Sequence, residues 1–129
     1  MTRKPWNLLL TSLIICFVSF TFSSHAELPK IIAHRGASHD APENTIPAIL
    51  LAWEKNADAV EVDIHMTADK KIIAIHDKDT LRTTGKKLVV ADNKWEDLKD
   101  LDAGSWKSEK YKGTKIPLLS EIHWPCFRP

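Results

Sequence analysis

The short connection between two apolar segments, 59–65 and 71–76, constrains the fold of this chain more than any other feature. A parallel crossover needs about a dozen residues or more, and only a few polar residues around Asp69 and Lys70 separate the two segments. The segments therefore predict an antiparallel β-hairpin. A two-residue turn at Asp69-Lys70 places Asp63 directly opposite His76, with both side chains on one face.

A strand, a helix and a second strand are predicted up to this hairpin. A short apolar strand ends at His34, and apolar residues then recur at helical spacing between positions 46 and 53. Asn44 or Thr45 is the expected N-cap of this helix, which is predicted to end near residues 56–57. Strand, helix and strand in this order form the unit of a parallel α/β sheet.

Less regular structure is expected after the hairpin. Residues 88–90 suggest a short strand, and the apolar spacing over 95–101 suggests one or two helical turns. Residues 116–122 predict the start of a helix with a proline near its first position. We interpret residues 78–115 as a long segment that covers the site.

The first 26 residues have the features of a secretory signal peptide. Arg3 and Lys4 form a positive start, residues 8–22 are almost entirely apolar, and small residues follow at the expected cleavage position. An apolar run of about 15 residues is short for a membrane span, which needs about 20. The alternatives are an uncleaved anchor and a lipoprotein signal that uses Cys16. We expect an exported protein, periplasmic or secreted, without a stable membrane span after cleavage.

The charge of the mature chain, residues 27–129, is nearly balanced. Of 18 basic residues, Arg3 and Lys4 leave with the signal, and the remaining 16 face 17 acidic ones. This balance argues against a nucleic-acid or anionic-membrane binder. Only Cys126 remains after cleavage, so no internal disulfide is expected. The composition does not indicate an oligomeric state.

Ionisable residues gather at the predicted strand ends. Glu61 and Asp63 are two positions apart, so they share one face of a strand, and paired carboxylates can hold a hard divalent cation. His34 and His76 can divide acid and base work near neutral pH. Arg35 matches the geometry of a phosphate. Together these residues indicate metal-assisted cleavage of a phosphodiester.

Each of these residues also has a simpler interpretation. Glu61 and Asp63 alone could be edge-strand charges that face water. A single histidine at a strand end could have a structural role. Arg35 alone could form a surface ion pair. Glu43 either supports the site or favours the positive end of the following helix. His65 is either a third metal ligand or, as we favour, a residue at the rim. Only the joint arrangement favours catalysis.

Several short motifs resemble those of the glycerophosphodiester phosphodiesterase family. They are Ala33-His34-Arg35-Gly36-Ala37, Pro42-Glu43-Asn44-Thr45, Glu61-Val62-Asp63, Ile75-His76-Asp77, Leu81-Arg82-Thr83-Thr84, Leu101-Asp102-Ala103-Gly104-Ser105-Trp106 and Ile116-Pro117. They follow the family's order over residues 30–122. The resemblance implies an α/β fold, the N-terminal portion of a TIM-type (β/α)8 barrel in a phospholipase-C-like variant with a β-hairpin after the second strand.

The resemblance also implies a reaction and a set of roles. The reaction is hydrolysis of a glycerophosphodiester to glycerol 3-phosphate and an alcohol. By position, His34 is the implied proton acceptor and His76 the proton donor. Arg35 contacts the phosphate, and Glu61 and Asp63 bind one divalent metal ion, Ca²⁺ or Mg²⁺.

The chain departs from the family pattern at two points. Lys70 stands where the family often has a glycine, and the family's third metal-binding glutamate lies on a strand beyond residue 122. Because a TIM barrel typically needs about 250 residues, we expect an N-terminal part of the enzyme with an atypical tail at 123–129, active only in a full-length form. The alternatives are a phospholipase-C-like or sphingomyelinase-D-like lipid phosphodiesterase, and an inactive remnant or non-catalytic binding module.

Overall fold

A computed structural model of the chain describes residues 28–122. Its regular elements are β1 (Ile32–His34), α1 (Ile46–Glu54), β2 (Ala59–Glu61), β3 (Ile64–Met66), β4 (Ile72–Ala74), α2 (Leu81–Thr84) and α3 (Trp95–Leu98). Three short 3-10 helices span Val90–Asp92, Glu109–Tyr111 and Leu119–Glu121. The predicted signal peptide, Cys126 and the tail at 123–129 lie outside the described residues. Within the described range, no helix is long and apolar enough to cross a bilayer.

The strands β1 and β2 pair in parallel across α1, as predicted. Ile32 lies opposite Ala59, and His34 lies opposite Glu61. Both strands end at this last pair. Their carboxyl ends therefore present His34 and Glu61 at the same edge of the sheet.

The helix α1 begins after Thr45, but neither expected cap donates or accepts through its side chain at the helix end. The Thr45 hydroxyl donates to the Pro42 carbonyl at 2.6 Å, and no side-chain capping bond forms. The Thr45 hydroxyl therefore stabilises the turn before the helix. Asn44 contacts a different element, described below.

The other end of α1 is closed by a left-handed residue. Asn56 has a φ angle of 61°, and its amide donates to the Trp53 carbonyl. The next amide, of Ala57, donates to the Ala52 carbonyl at 3.0 Å. This pair of bonds is a Schellman motif, which ends a helix while it satisfies the last carbonyls. The helix ends at Glu54, about two residues before the predicted position.

The hairpin is antiparallel as predicted, but its register differs by one residue. Ile64 lies opposite Ala74 and Met66 opposite Ile72, and the Asp63 carbonyl accepts from the Ile75 amide at 3.0 Å. The prediction that Asp63 lies opposite His76 is therefore wrong. The physical reason is the turn: Lys70 adopts a φ angle of 64°, which gives a three-residue loop in place of a two-residue turn.

The segment after the hairpin is less regular than predicted. The expected strand at 88–90 is a single bridge between Asp79 and Val89, and α3 is one turn long. The expected helix start after residue 116 is also wrong, because Leu118 bridges Ile73 in extended form and only a 3-10 turn follows.

Two hydrophobic clusters meet at β4. One contains Ile73 and Ile75, together with residues from the segment 88–118, and the other contains Ala74 with side chains of α1 and β2. Successive residues of a strand point to opposite faces. The strand β4 therefore joins the strand–helix–strand unit to the irregular segment, and it fixes the position of His76, two residues beyond its end.

Candidate active site

A sharp turn after β1 carries Arg35 to the edge of the sheet. Arg35 and Gly36 have φ angles of 58° and 76°, in the left-handed region that glycine adopts most readily. A Cβ atom on Gly36 would lie 2.6 Å from the carbonyl carbon of Ala48, so the turn packs directly on α1. This turn lets the Arg35 amide donate to Glu61 Oε2 at 3.2 Å.

His34 and Glu61 occupy neighbouring strand ends. His34 is exposed, and Glu61 is half-buried and already accepts one backbone hydrogen bond. An exposed imidazole at the edge of a sheet can exchange a proton with a bound molecule, which acid–base catalysis requires. The structure brings these two predicted site residues together.

Asp63 follows β2 and is held by two residues of the preceding loop. Asn44 Nδ2 donates to Asp63 Oδ2 at 3.0 Å, and Asn44 Oδ1 accepts from the Asp63 amide at 3.0 Å. Arg35 Nε lies 2.9 Å from the same carboxylate oxygen in an ion pair. Asn44 is 2% exposed, so the contact satisfies both ends of a buried amide. Sequence reasoning assigned Asn44 a capping role and missed this one.

The Nε atom of Arg35 is buried against Asp63. It lies 2.9 Å from Asp63 Oδ2 in an ion pair, although its N–H is not directed closely enough at that oxygen to form a hydrogen bond. The negative charge of Asp63 therefore compensates the burial of this part of the guanidinium group.

Glu43 lies between two guanidinium groups. Arg82 donates to Oε2 at 2.9 Å and to Oε1 at 2.7 Å, and Arg35 Nη1 donates to Oε1 at 3.3 Å. The hydrogen bonds from Arg82 lower the pKa of Glu43 below its ordinary value, although burial opposes the shift. The structure thus places Glu43 inside the cluster, as the anion that joins two cations.

His76 is tied to the same cluster through Asp77. His76 Nδ1 lies 2.6 Å from Asp77 Oδ1, and Arg82 Nε donates to Asp77 Oδ2 at 2.7 Å. The hydrogen bond from Arg82, followed by that from His76, lowers the pKa of Asp77 to about 2. Because an ionised carboxylate only accepts, Nδ1 carries a proton and Nε2 is left for another partner.

A series of charged side chains therefore connects Asp63 with His76, which were predicted to lie directly opposite each other in the hairpin. The order of contacts is Asp63, Arg35, Glu43, Arg82, Asp77 and His76. Sequence reasoning gave Asp77 and Arg82 no role. The available signal was that both residues belong to motifs that also contain, or closely follow, a candidate residue.

The side chain of His65 contacts the backbone of His76. Its Nε2 is 3.0 Å from the backbone carbonyl of His76, and since a carbonyl oxygen only accepts, this nitrogen is the protonated one. A nitrogen occupied in this way cannot ligate a metal ion. The contact agrees with the favoured rim position and not with a third ligand through Nε2.

Glu61 and Asp63 fit a divalent cation in kind but do not complete a site. Their carboxylate oxygens are the ligands that Ca²⁺ and Mg²⁺ prefer. Within the part of the chain that the structure describes, no group of three or more His, Cys, Asp or Glu side chains is arranged to hold a metal ion. An ion held by Glu61 and Asp63 would therefore take its further ligands from water, substrate or residues outside 28–122.

Comparison with protein families gives one extensive match. The model described as the glycerophosphoryl diester phosphodiesterase family matches residues 34–125. A glycerophosphodiester phosphodiesterase of Caldanaerobacter subterraneus is 45% identical over 92 residues, which cover 71% of this chain and 38% of the relative.

Solved structures give the same result for the fold. A glycerophosphodiester phosphodiesterase from Agrobacterium tumefaciens superposes with a TM-score of 0.71 at 38% identity, covering 73% of this chain and 41% of that one. An Oleispira antarctica phosphodiesterase, solved with the product sn-glycerol-3-phosphate, has a TM-score of 0.68 at 40% identity and covers 71% and 37%. The chain spans about two fifths of the length of these relatives. The matches confirm the predicted first part of a TIM-type barrel.

Proposed function

The chain belongs to the glycerophosphoryl diester phosphodiesterase family, and on this basis we propose that the protein hydrolyses glycerophosphodiesters to sn-glycerol 3-phosphate and an alcohol. One observation carries the proposal: His34, Arg35 and Glu61 meet at the carboxyl ends of two parallel strands, the edge where barrel enzymes place their sites. The relative from Oleispira antarctica, solved with sn-glycerol-3-phosphate, supports the same substrate class.

In the proposed reaction Arg35 binds the phosphate and the two histidines move protons. Arg35 directly follows β1 at the edge of the sheet, and its guanidinium group is the proposed donor to the phosphate oxygens. His34 removes a proton from the attacking hydroxyl, either water or the glycerol hydroxyl of the substrate. As the new P–O bond forms and the old one breaks, His76 gives a proton to the leaving alcohol. With water as the nucleophile this step gives glycerol 3-phosphate directly. With the glycerol hydroxyl it gives a cyclic glycerophosphate, and water then opens the ring while the two histidines exchange their acid and base roles.

Glu61 and Asp63 are the proposed ligands of one divalent ion, Ca²⁺ or Mg²⁺. When bound, the ion supplies positive charge that neutralises the phosphate. The turn after β1 and the side chain of Asn44 hold the two carboxylates in place without the ion. The remaining protein ligand is proposed to lie outside residues 28–122.

Calorimetric titration with Ca²⁺ and Mg²⁺ tests the metal assignment. We expect binding that is lost in Glu61→Ala, because one of the proposed protein ligands is removed. Glu54→Ala, at the exposed end of α1, is the matched control and is expected to bind like the parent. Equal binding by Glu61→Ala and the parent contradicts the assignment.

Export is proposed from the N-terminal segment alone, which lies outside the described residues. N-terminal sequencing of the protein recovered outside the cytoplasm is expected to begin at Glu27, after the predicted cleavage position. Recovery of a chain that retains the apolar run at 8–22 contradicts cleavage.

The substrate class is tested with the full-length protein and a panel of phosphodiesters. Release of glycerol 3-phosphate from glycerophosphocholine and glycerophosphoethanolamine is the expected result. Lysophosphatidylcholine and sphingomyelin report on the alternative lipid phosphodiesterases. Turnover of these lipids without turnover of the glycerophosphodiesters contradicts the proposal.

A further inference from the structure

We propose that Arg82 is a positioning residue that holds His76 through Asp77 and Arg35 through Glu43. This inference rests on the proposed function. It assigns a role to a residue of α2 that acts on Arg35 and His76 through the carboxylates between them. One guanidinium group contacts two carboxylates, and each carboxylate contacts a different candidate catalytic or binding residue.

All three nitrogen atoms of the Arg82 guanidinium group donate hydrogen bonds. Nε donates to Asp77 Oδ2 at 2.7 Å, Nη1 donates to Glu43 Oε2 at 2.9 Å, and Nη2 donates to Glu43 Oε1 at 2.7 Å. Nη2 also lies 3.3 Å from Asp77 Oδ1. Planar guanidinium geometry suits bidentate contacts of this kind, whereas a lysine ammonium offers a single point charge.

Each of the two carboxylates held by Arg82 orients one residue of the site. Asp77 Oδ1 lies 2.6 Å from His76 Nδ1, which holds the proton on that nitrogen and directs Nε2 away from Asp77. Glu43 Oε1 accepts from Arg35 Nη1 at 3.3 Å, which limits the rotation of the Arg35 side chain. Carboxylates that contact a reactive side chain in this way hold it in one orientation.

The surroundings of Arg82 favour one conformation. Its guanidinium carbon lies 6.0 Å from the centre of the Trp106 ring, within the range of a cation–π contact. The side chain of Glu43 is 11% exposed, so its negative charge needs a partner at this position. Loss of Arg82 leaves Glu43 with Arg35 alone and frees Asp77 to rotate away from His76.

The test uses three variants of the full-length protein and two measurements. Arg82→Ala removes the guanidinium group, Arg82→Lys retains the charge without that group, and Lys87→Ala removes an exposed charge five positions away as the control. The nitrogen NMR spectrum of the neutral His76 ring reports which nitrogen carries the proton, and it requires no turnover. Steady-state assays then give kcat and KM separately.

We expect the parent and Lys87→Ala to show one tautomer, protonated on Nδ1, and Arg82→Ala to show a mixture. In the assays, kcat of Arg82→Ala is expected to fall by about tenfold to a hundredfold, since small misplacements of reactive groups have effects of this size. Arg82→Lys is expected to restore less than half of the lost kcat.

A His76 spectrum that is unchanged in both Arg82 variants overturns the inference, whatever the turnover. Full recovery of kcat in Arg82→Lys also overturns it, because charge alone would then be sufficient. A changed spectrum in a protein that hydrolyses no glycerophosphodiester supports the positioning role and rejects the proposed function. If Arg82→Ala fails to fold, the His76 spectrum of Arg82→Lys is used in its place. A mixture of tautomers in that variant supports the inference, and an unchanged spectrum overturns it.

Discussion

Backbone angles at single residues explain much of the site. Arg35 and Asn44 have φ angles of 58° and 57°, in the left-handed region that residues other than glycine rarely adopt. Both side chains converge on Asp63. Strained residues of this kind persist where surrounding contacts fix them, and they cluster at functional sites.

Asn44→Asp is expected to destabilise the chain. The variant keeps the size of the side chain but replaces the Nδ2 donor by an oxygen 3.0 Å from Asp63 Oδ2. Loss of a buried hydrogen bond and repulsion between carboxylates are expected to lower the free energy of unfolding by about 1–3 kcal/mol. Urea titration followed by tryptophan fluorescence measures the change.

The matched control for this variant is Asn56→Asp. Asn56 also has a positive φ angle, 61°, but it is exposed at the end of α1. We expect a smaller loss than at Asn44, because a new carboxylate at this exposed position stays in contact with water. Equal losses at the two positions contradict the role given to Asn44.

At this scale, the positions of residues on parallel strands could be predicted and the long-range side-chain contacts could not. His34 and Glu61 end neighbouring strands, which follows from strand direction alone. The contacts of Asn44 with Asp63 and of Arg82 with Glu43 span 19 and 39 residues. No local pattern specifies them, because they depend on how the loops pack.

For the hairpin, the length of the connection predicts the direction of the strands but not their register. Its antiparallel direction follows from the short distance along the chain between β3 and β4, which no crossover can span. Its register depends on the conformation of Lys70, whose φ angle of 64° sets the loop length. A shift of one residue moves the facing partner of Asp63 from His76 to Ile75.

Lys70→Gly is expected to stabilise the hairpin. Glycine adopts the left-handed conformation without the steric cost of a Cβ atom. Relief of this steric cost is expected to raise the free energy of unfolding by about 1 kcal/mol. The greater freedom of glycine in the unfolded chain offsets part of this gain.

Lys71→Gly is the control for the hairpin loop, because the left-handed requirement is at the preceding residue. At this position glycine is expected to reduce stability by about 0.5–1 kcal/mol. Urea titrations of both variants give the two values. A loss of stability in Lys70→Gly is incompatible with the observed turn.

The loop at 102–113 depends on one carboxylate. Asp102 Oδ1 accepts from the amides of Gly104 and Ser105 at 2.8 and 2.9 Å, and Oδ2 accepts from the Gly113 amide at 2.9 Å. The Ser105 hydroxyl donates to Oδ2 at 2.6 Å. These bonds, that of the Ser105 hydroxyl first, lower the pKa of Asp102 well below its ordinary value of 3.8.

Asp102→Asn is expected to change how stability depends on pH. Because the pKa of Asp102 is lower in the folded chain, its carboxylate stabilises the fold above the ordinary value of 3.8. This contribution is lost as the pH falls below that value. The Tm of Asp102→Asn is therefore expected to lie below that of the parent near neutral pH.

Thermal melts over a pH series measure this difference in Tm, which is expected to shrink as the pH falls from about 4 to about 2. Asp100→Asn, an exposed residue two positions earlier, is the control. A difference in Tm that is constant over the whole series contradicts the role of the Asp102 carboxylate.

Across the whole molecule, the strands carry apolar side chains that the described residues do not cover. Ile32, Ile64, Met66 and Ile72 are 62%, 50%, 50% and 42% exposed. The architecture agrees with the first part of a TIM-type barrel, and the chain spans about two fifths of its relatives. Apolar periodicity and connection lengths predicted the strand–helix–strand unit and the hairpin, and the family resemblance implied the barrel. The irregular segment after β4 has no period from which its path follows.

His34 and His76 are the proposed proton-transfer residues of one phosphodiesterase site. Phosphorus NMR tests this role with glycerophosphocholine incubated with the full-length protein and with His34→Ala, His76→Ala and His39→Ala. The side chain of His39 is 98% exposed in the loop after β1, so His39→Ala is the matched control.

Conversion to glycerol 3-phosphate by the parent and by His39→Ala is the predicted result. Each of the other two variants is predicted to be slower by about a hundredfold or more, the usual contribution of general acid–base catalysis. Undiminished conversion by both His34→Ala and His76→Ala would contradict the account.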